Sequence, residues 1–142
     1  MSELVLGRYR LPLDARTLVL GIVNANPDSF YDQGRHAGTE RAVARARGLI
    51  AEGDDIIDVG GQTGQRGEEV SVVQEIDRIR PVVEQLAALG TPVSVDTYRA
   101  EVADAVLAAG AVLVNDYTGF FDPELPVVAA RHRAGLVCAH YR

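Results

Sequence analysis

Residues 18–34 read LVLGIVNANPDSFYDQG, and the rest of the chain is arranged around them. The stretch opens as an apolar run from Leu18 to Val23 without polar alternation, the pattern of a strand covered on both faces. The run stops at Asn24. At Asn26-Pro27 the proline removes a backbone donor and pushes Asn26 toward extended geometry, so the chain leaves the sheet in a loop. That loop carries Phe30, Tyr31 and Asp32. A buried strand that delivers an amide, an aromatic and two carboxylates into one loop suits ligand contact better than packing.

Upstream, two short apolar stretches between Leu4 and Leu20 flank Arg10-Leu11-Pro12-Leu13-Asp14 and predict a small hairpin. Downstream, Thr39 is expected to cap a helix whose apolar positions Ala42, Ala46, Leu49 and Ile50 share a face, ending at Gly53. Ile56 to Val59 then forms a second strand, closed by Gly60-Gly61. Ser71 to Gln74 has capping-box spacing, and Val72, Ile76, Ile79, Val83 and Leu86 continue one helical face toward Gly90. Pro81 predicts a kink in that helix, or a boundary at Arg80. Pro92–Asp96 reads as the third strand, Arg99–Ala109 as a helix and Ala111–Asn115 as the fourth strand. Asp122-Pro123 is expected to open a helix over Leu125–Ala134 that stops at Gly135, before a fifth strand to His140. Short strands alternating with helices imply right-handed crossovers and a parallel sheet, in an α/β barrel or an open doubly wound fold.

The length of 142 residues fits one domain. Hydrophobic residues at 47% with 24% charged residues exclude a disordered chain. Twenty acidic against fourteen basic residues, a net charge of −6, argue against a broad nucleic-acid-binding face and leave anionic small ligands open. The single cysteine, Cys138, allows no intrachain disulfide, fits a reducing compartment and is expected to be a small buried hydrophobe. The start lacks a basic, apolar leader, and no apolar run approaches the ~20 residues that span a bilayer. A cytoplasmic protein without a membrane partner is expected.

Chemistry gathers at the carboxyl ends of the strands, which carry Asn24, Asp58, Asp96, Asn115 with Asp116, and His140. In parallel α/β folds these ends share one face, so residues distant in sequence converge there. Asp accepts from paired N–H groups while Asn both donates and accepts, a set that suits a flat heterocycle with an amidine-like edge. Asn24, beside acidic loop residues, could also offer oxygen to a hard cation such as magnesium. Glycine-rich dinucleotide and phosphate loops, HExxH and CxxC are all missing, so no motif supports nicotinamide, nucleotide-hydrolysis or zinc-protease chemistry.

Four motifs in order then resemble one family. NANPDSFYDQG is similar to the NVTPDSFSDGG signature of dihydropteroate synthases, IIDVGGQTGQRG to IIDVGGESTRPG, VSVDTYRAEVADAVLAAGA to ISIDTYKAEVAEAALAAGA, and VLVNDYTG to IINDVWG. The final LVCAHYR looks like the family's ILMHM strand. The resemblance implies a (β/α) TIM barrel that condenses 6-hydroxymethyl-dihydropterin pyrophosphate with p-aminobenzoate in folate biosynthesis, with magnesium on the pyrophosphate. By the same resemblance Asn24 holds the metal and pyrophosphate, Asp96 and Asn115 bind the pterin, and Phe30 and Asp32 act catalytically in a mobile first loop. Asp58 reads either as support for the rim or as a ligand contact, and His140 either as framework or as contact.

Two departures qualify the resemblance. The family's Ser-Thr-Arg-Pro becomes Thr63-Gly64-Gln65-Arg66, so Arg66 either binds substrate with a one-residue shift or lies in solvent. Val-Thr of the first motif becomes Ala25-Asn26, and both changes resemble divergent second copies in actinobacteria. The chain also supplies about five of the eight barrel strands after its hairpin. It is therefore read as a single pterin-binding barrel domain, residues 1–142, that is the N-terminal part of a longer protein, a truncated product or an incomplete representation. Unpaired edges at the first and fifth strands predict self-association, with a homodimer expected. The competing functions are a pterin transferase, a non-catalytic pterin-binding relic and a folate-dependent methyltransferase; the PDSF motif favours the first over the third.

Overall fold

A computed structural model describes residues 2–26, 34–62 and 69–140 of the chain. The hairpin pairs β1 (Glu3–Leu6) with β2 (Tyr9–Pro12) antiparallel. The alternating part follows as β3 (Leu20–Asn24), α1 (Gly34–Ala51), β4 (Ile56–Gly60), α2 (Val72–Ala88), β5 (Val93–Asp96), α3 (Ala100–Ala108), β6 (Leu113–Asp116), α4 (Leu125–Arg131) and β7 (Gly135–Cys138). The five strands β3 to β7 form one parallel sheet in sequential order, the arrangement of successive units of a (β/α) barrel.

Side chains alternate across this sheet, so its two faces have different fates. Val23, Ile57, Val59, Val93, Val95 and Val114 point to the helices and join Ile79, Val83, Leu86, Val102 and Val106 in the main core. On the opposite face, the register aligns Leu20 with Ile56, Ser94 with Leu113, and Leu113 with Gly135 at the amino-terminal end of the strands. The hairpin covers that end: Leu6, fully buried, packs with Ile56 and Leu113. The carboxyl end of the same face stays open and presents polar groups. Ile22, midway along β3, is 68% exposed on it. No helix among the described residues is long and apolar enough to cross a membrane.

Several local expectations are corrected. Helix α1 begins at Gly34, so Thr39 lies inside it, buried, rather than at its cap. Helix α2 starts on the expected capping box, with Ser71 Oγ accepting from Gln74 N–H at 3.1 Å and Gln74 Oε1 accepting from Ser71 N–H at 3.1 Å. It runs unbroken through Pro81, so there is no boundary at Arg80. Ile79, Val82, Val83 and Leu86, all fully buried, anchor both sides of the proline and offset the ~3 kcal/mol it costs a helix.

Asp122 does not cap its own helix. Its Oδ2 accepts from the N–H of Ala100, the first residue of α3, at 2.8 Å, while Oδ1 accepts from Glu124 N–H at 3.0 Å. Helix α4 begins at Leu125 and ends at Arg131, earlier than the expected Ala134, because Arg133 turns left-handed with φ 55° and Gly135 already belongs to β7. Cys138 is exposed rather than buried, since among the described residues β7 pairs with β6 alone.

Leu6→Ala tests the docked hairpin. It removes a fully buried side chain between β4 and β6 and should cost about 2–4 kcal/mol in denaturant unfolding. A loss below about 1 kcal/mol would mean that the hairpin does not cover the sheet.

Candidate functional site

The polar ends of the strands meet on the face away from the helices. Register pairs Asn24 with Gly60, Gly60 with Asp96, and Asp96 with Asn115, so all stand at one level of the sheet. Gly60 carries no side chain, and this opens the floor between Asn24 and Asp96. A Cβ built at Gly60 would sit 3.6 Å from the Asp96 carboxylate. The recess is about 60 Å³ and is lined by Asn24, Gly60, Gln62, Asp96, Thr97, Tyr98 and Tyr117.

Asp58 lies one layer below, almost wholly buried. Its Oδ1 accepts from Ser94 Oγ at 2.6 Å and its Oδ2 from Asn115 Nδ2 at 3.2 Å. Tethering the Asn115 amide nitrogen fixes how that carboxamide presents its oxygen. Asp58 therefore supports the site from within, the first of the two roles its position allowed.

Burial pushes Asp96 from 3.8 up to about 6, and the neighbouring carboxylates Asp58, Glu75 and Asp116 push in the same direction. Desolvation, then Asp96, also raises the Tyr117 phenol. A carboxyl group poised near neutrality in a recess is the usual mark of a working site rather than a surface acid.

Asp116 and His140 play other parts. Asp116 is fully buried toward the helices and accepts from Thr118 N–H, Thr118 Oγ1–H and Phe120 N–H, at 2.8, 2.6 and 2.8 Å. It shapes the turn after β6, where Gly119 and Phe120 adopt positive φ. His140 is exposed and does not line the recess. Phe30, Asp32 and Arg66 lie outside the described residues.

Six lining or supporting residues were not singled out from the motifs: Gln62, Thr97, Tyr98, Tyr117, Ser94 and Glu75. The first four stand one or two residues after the strand ends Gly60, Asp96 and Asp116, so proximity to those ends was the available signal. Glu75 was legible in another way. It falls three residues after Val72 and four before Ile79, a charge on the apolar stripe of α2, and it is fully buried there.

A larger cleft, about 700 Å³, opens at the other end of the same sheet face, against Leu4, Leu20, Ile56, Leu113 and Val137. Its walls are mostly aliphatic. The converging donors and acceptors are in the smaller recess, and chemistry rather than volume marks that recess as the site.

Comparison with known proteins gives a consistent result. The family of the pterin binding enzymes matches residues 20–142. A dihydropteroate synthase of Staphylococcus haemolyticus is 46% identical over 127 residues, which cover 88% of this chain and 48% of that protein. A protein of Mycobacterium tuberculosis named inactive dihydropteroate synthase 2 is 51% identical over 130 residues, covering 88% of this chain and 40% of that one. Among solved structures, the Xanthomonas albilineans dihydropteroate synthase with 4-aminobenzoic acid superposes with a TM-score of 0.86 at 40% identity, over 99% of this chain and 52% of that one. The Burkholderia cenocepacia dihydropteroate synthase complexed with 7,8-dihydropteroate does so at 0.84 and 37% identity, over 99% of this chain and 47% of that one. The chain spans about half the length of these solved structures.

The raised Asp96 group has a stability consequence. Its proton is held more tightly in the folded state, so its contribution is full below pH 3.8 and is lost as pH rises through about 6. Asp96→Asn should therefore stabilise the chain by about 1 kcal/mol at pH 8, a figure discounted for the group's partial exposure, and by almost nothing at pH 4. Denaturant unfolding at the two pH values checks this, and an equal effect at both would count against the strained carboxylate.

Proposed function

The chain belongs to the family of pterin-binding enzymes, and from that premise we propose that it is a dihydropteroate synthase-like transferase that joins 6-hydroxymethyl-dihydropterin pyrophosphate to p-aminobenzoate. The observation that carries this reading is the convergence of Asn24, Asp96 and Asn115 at one level of one sheet face. Above pH 6 the Asp96 carboxylate accepts from the paired N–H groups of the pterin, and Asn115, turned by Asp58, offers its amide oxygen beside it. The negative charge at Asp96, backed by Asp58, stabilises the cationic pterin that forms as pyrophosphate leaves. The roles proposed for Phe30 and Asp32, excluding water and adding negative charge, and for Arg66, binding substrate, rest on the motif resemblance.

Magnesium is the cofactor that fits this reading. The described residues contain no group of three or more His, Cys, Asp or Glu side chains able to hold a metal. Asn24 is exposed at the rim of the recess and offers one hard oxygen. That donor set suits a cation carried in on a diphosphate, which keeps most of its waters and takes one or two oxygens from protein. When bound, it would neutralise charge on the departing pyrophosphate.

A second reading is a pterin binder without turnover. It draws support from 51% identity to the mycobacterial protein named inactive. A homodimer and a cytoplasmic location accompany either reading as proposals.

Incubation with both substrates and magnesium, followed by mass detection of dihydropteroate, should yield product. Asn24→Ala should raise the KM for the pyrophosphate about ten-fold, the cost of one charge-assisted contact. Pterin binding without product establishes the second reading, and neither binding nor product rejects both.

A further inference from the structure

Behind the recess, where α2 meets the loop after β4, Glu75 is fully buried in a cluster that catalysis as proposed above does not use. Its Oε1 accepts from Gln62 Nε2 at 3.2 Å and from Arg99 Nη1 at 3.3 Å, while its Oε2 is buried with no partner among the described residues. Arg99 also donates to Val70 O at 2.5 Å and lies over the Tyr98 ring, 5.5 Å from its centroid. One turn along α2, Arg78 donates to Gly61 O at 3.0 Å. Gly61 itself is pressed against α2, where a Cβ would lie 2.8 Å from Ile79.

Gln62 and Tyr98 both line the recess, and Glu75 reaches each of them, Gln62 directly and Tyr98 through Arg99. We infer that Glu75 is a positioning residue for the pterin recess, holding Gln62 and the Arg99–Tyr98 pair at its wall while its unpaired oxygen places a second acid behind Asp96. A carboxylate whose only task was to join α2 to the loop would be better served with both oxygens satisfied, or by an apolar side chain of similar volume. The half-paired arrangement instead leaves its charge acting on the recess.

The titratable groups whose charge acts on Asp96 are Asp58 from β4, Glu75 from α2 and Asp116, which lies on the helix side of β6, and Asp96 in turn acts on Tyr117 from the loop after β6; Arg99 is the cation paired with Glu75. Glu75 is one of three acids that push the Asp96 proton affinity up, and removing its charge while keeping its shape lets Asp96 stay ionised to lower pH.

The inference rests on the pterin-binding reading, and quenching of 6-hydroxymethylpterin fluorescence between pH 5 and 8 separates the two. In the unaltered chain, affinity should fall as pH drops through about 6, with protonation of Asp96. Absence of any binding rejects the pterin reading itself. In Glu75→Gln the midpoint of that fall should move down by on the order of half a pH unit, so that the variant binds better than the parent near pH 5.5. A purely structural residue would lower affinity equally at every pH. A midpoint that stays in place in a folded Glu75→Gln chain overturns the inference. Gln62→Met leaves the buried ion pair intact and supplies a second arm: affinity should drop about five-fold with the midpoint unmoved, the worth of one hydrogen bond. Unchanged affinity in that variant also overturns the inference.

Discussion

The hydrogen-bonded triplet Ser94–Asp58–Asn115 is the constraint on which the site depends. Three adjacent strands each contribute one member, and the central carboxylate is buried away from water. A buried acid is tolerated only while its oxygens are satisfied, so any slip of β5 or β6 against β4 would strand it. Because side chains alternate, a slip of one residue would also carry Asp96 and Asn115 into the helix-side core. The triplet thus links the alignment of the sheet to the geometry of the recess, and folding and ligand recognition share the same bonds.

The fold was legible because its determinants are local and repeated. Apolar runs bounded by glycine or by polar strand ends marked every core strand to within two residues, and the capping box placed the start of α2. Misreadings arose where a distant partner competed for a residue. Asp122 has the sequence context of a cap for α4, but one of its oxygens accepts from the N–H of Ala100, so a helix two elements away shares the side chain. Cys138 reads as core because its neighbours are apolar, and only the order of strands reveals that among the described residues β7 pairs on one flank. Pro81 allows a kink or a boundary at Arg80 because propensity is counted along the chain, and the boundary is absent because four buried aliphatic side chains hold the helix across that point.

The site was legible in part. Asn24, Asp96 and Asn115 stood out as polar residues at the ends of apolar strands, and the register does bring them to one level. What one sequence could not supply was direction. Asp116 sits beside Asn115 and has the same chemistry as Asp96, yet one step along a strand turns it to the opposite side, where it organises a turn. Depth rather than parity separates Asp58 from the surface: it looks to the same face as Asp96 and Asn115 but stands one layer lower on its strand, bonded to Ser94 and Asn115.

Family membership and half-length coverage can be read together through Val23, Val59, Val95 and Val114, each the immediate neighbour of a polar member of the site. The valines build the compartment beneath the helices, and the polar residues face the other way. Inherited changes at Asn24 or Asp96, which take no part in the Ser94–Asp58–Asn115 triplet, therefore leave that compartment intact, so a descendant can give up its chemistry and still persist as a folded chain. Such a division lets durability outlast activity in a lineage, and it makes kinship by sequence a better witness to architecture than to turnover.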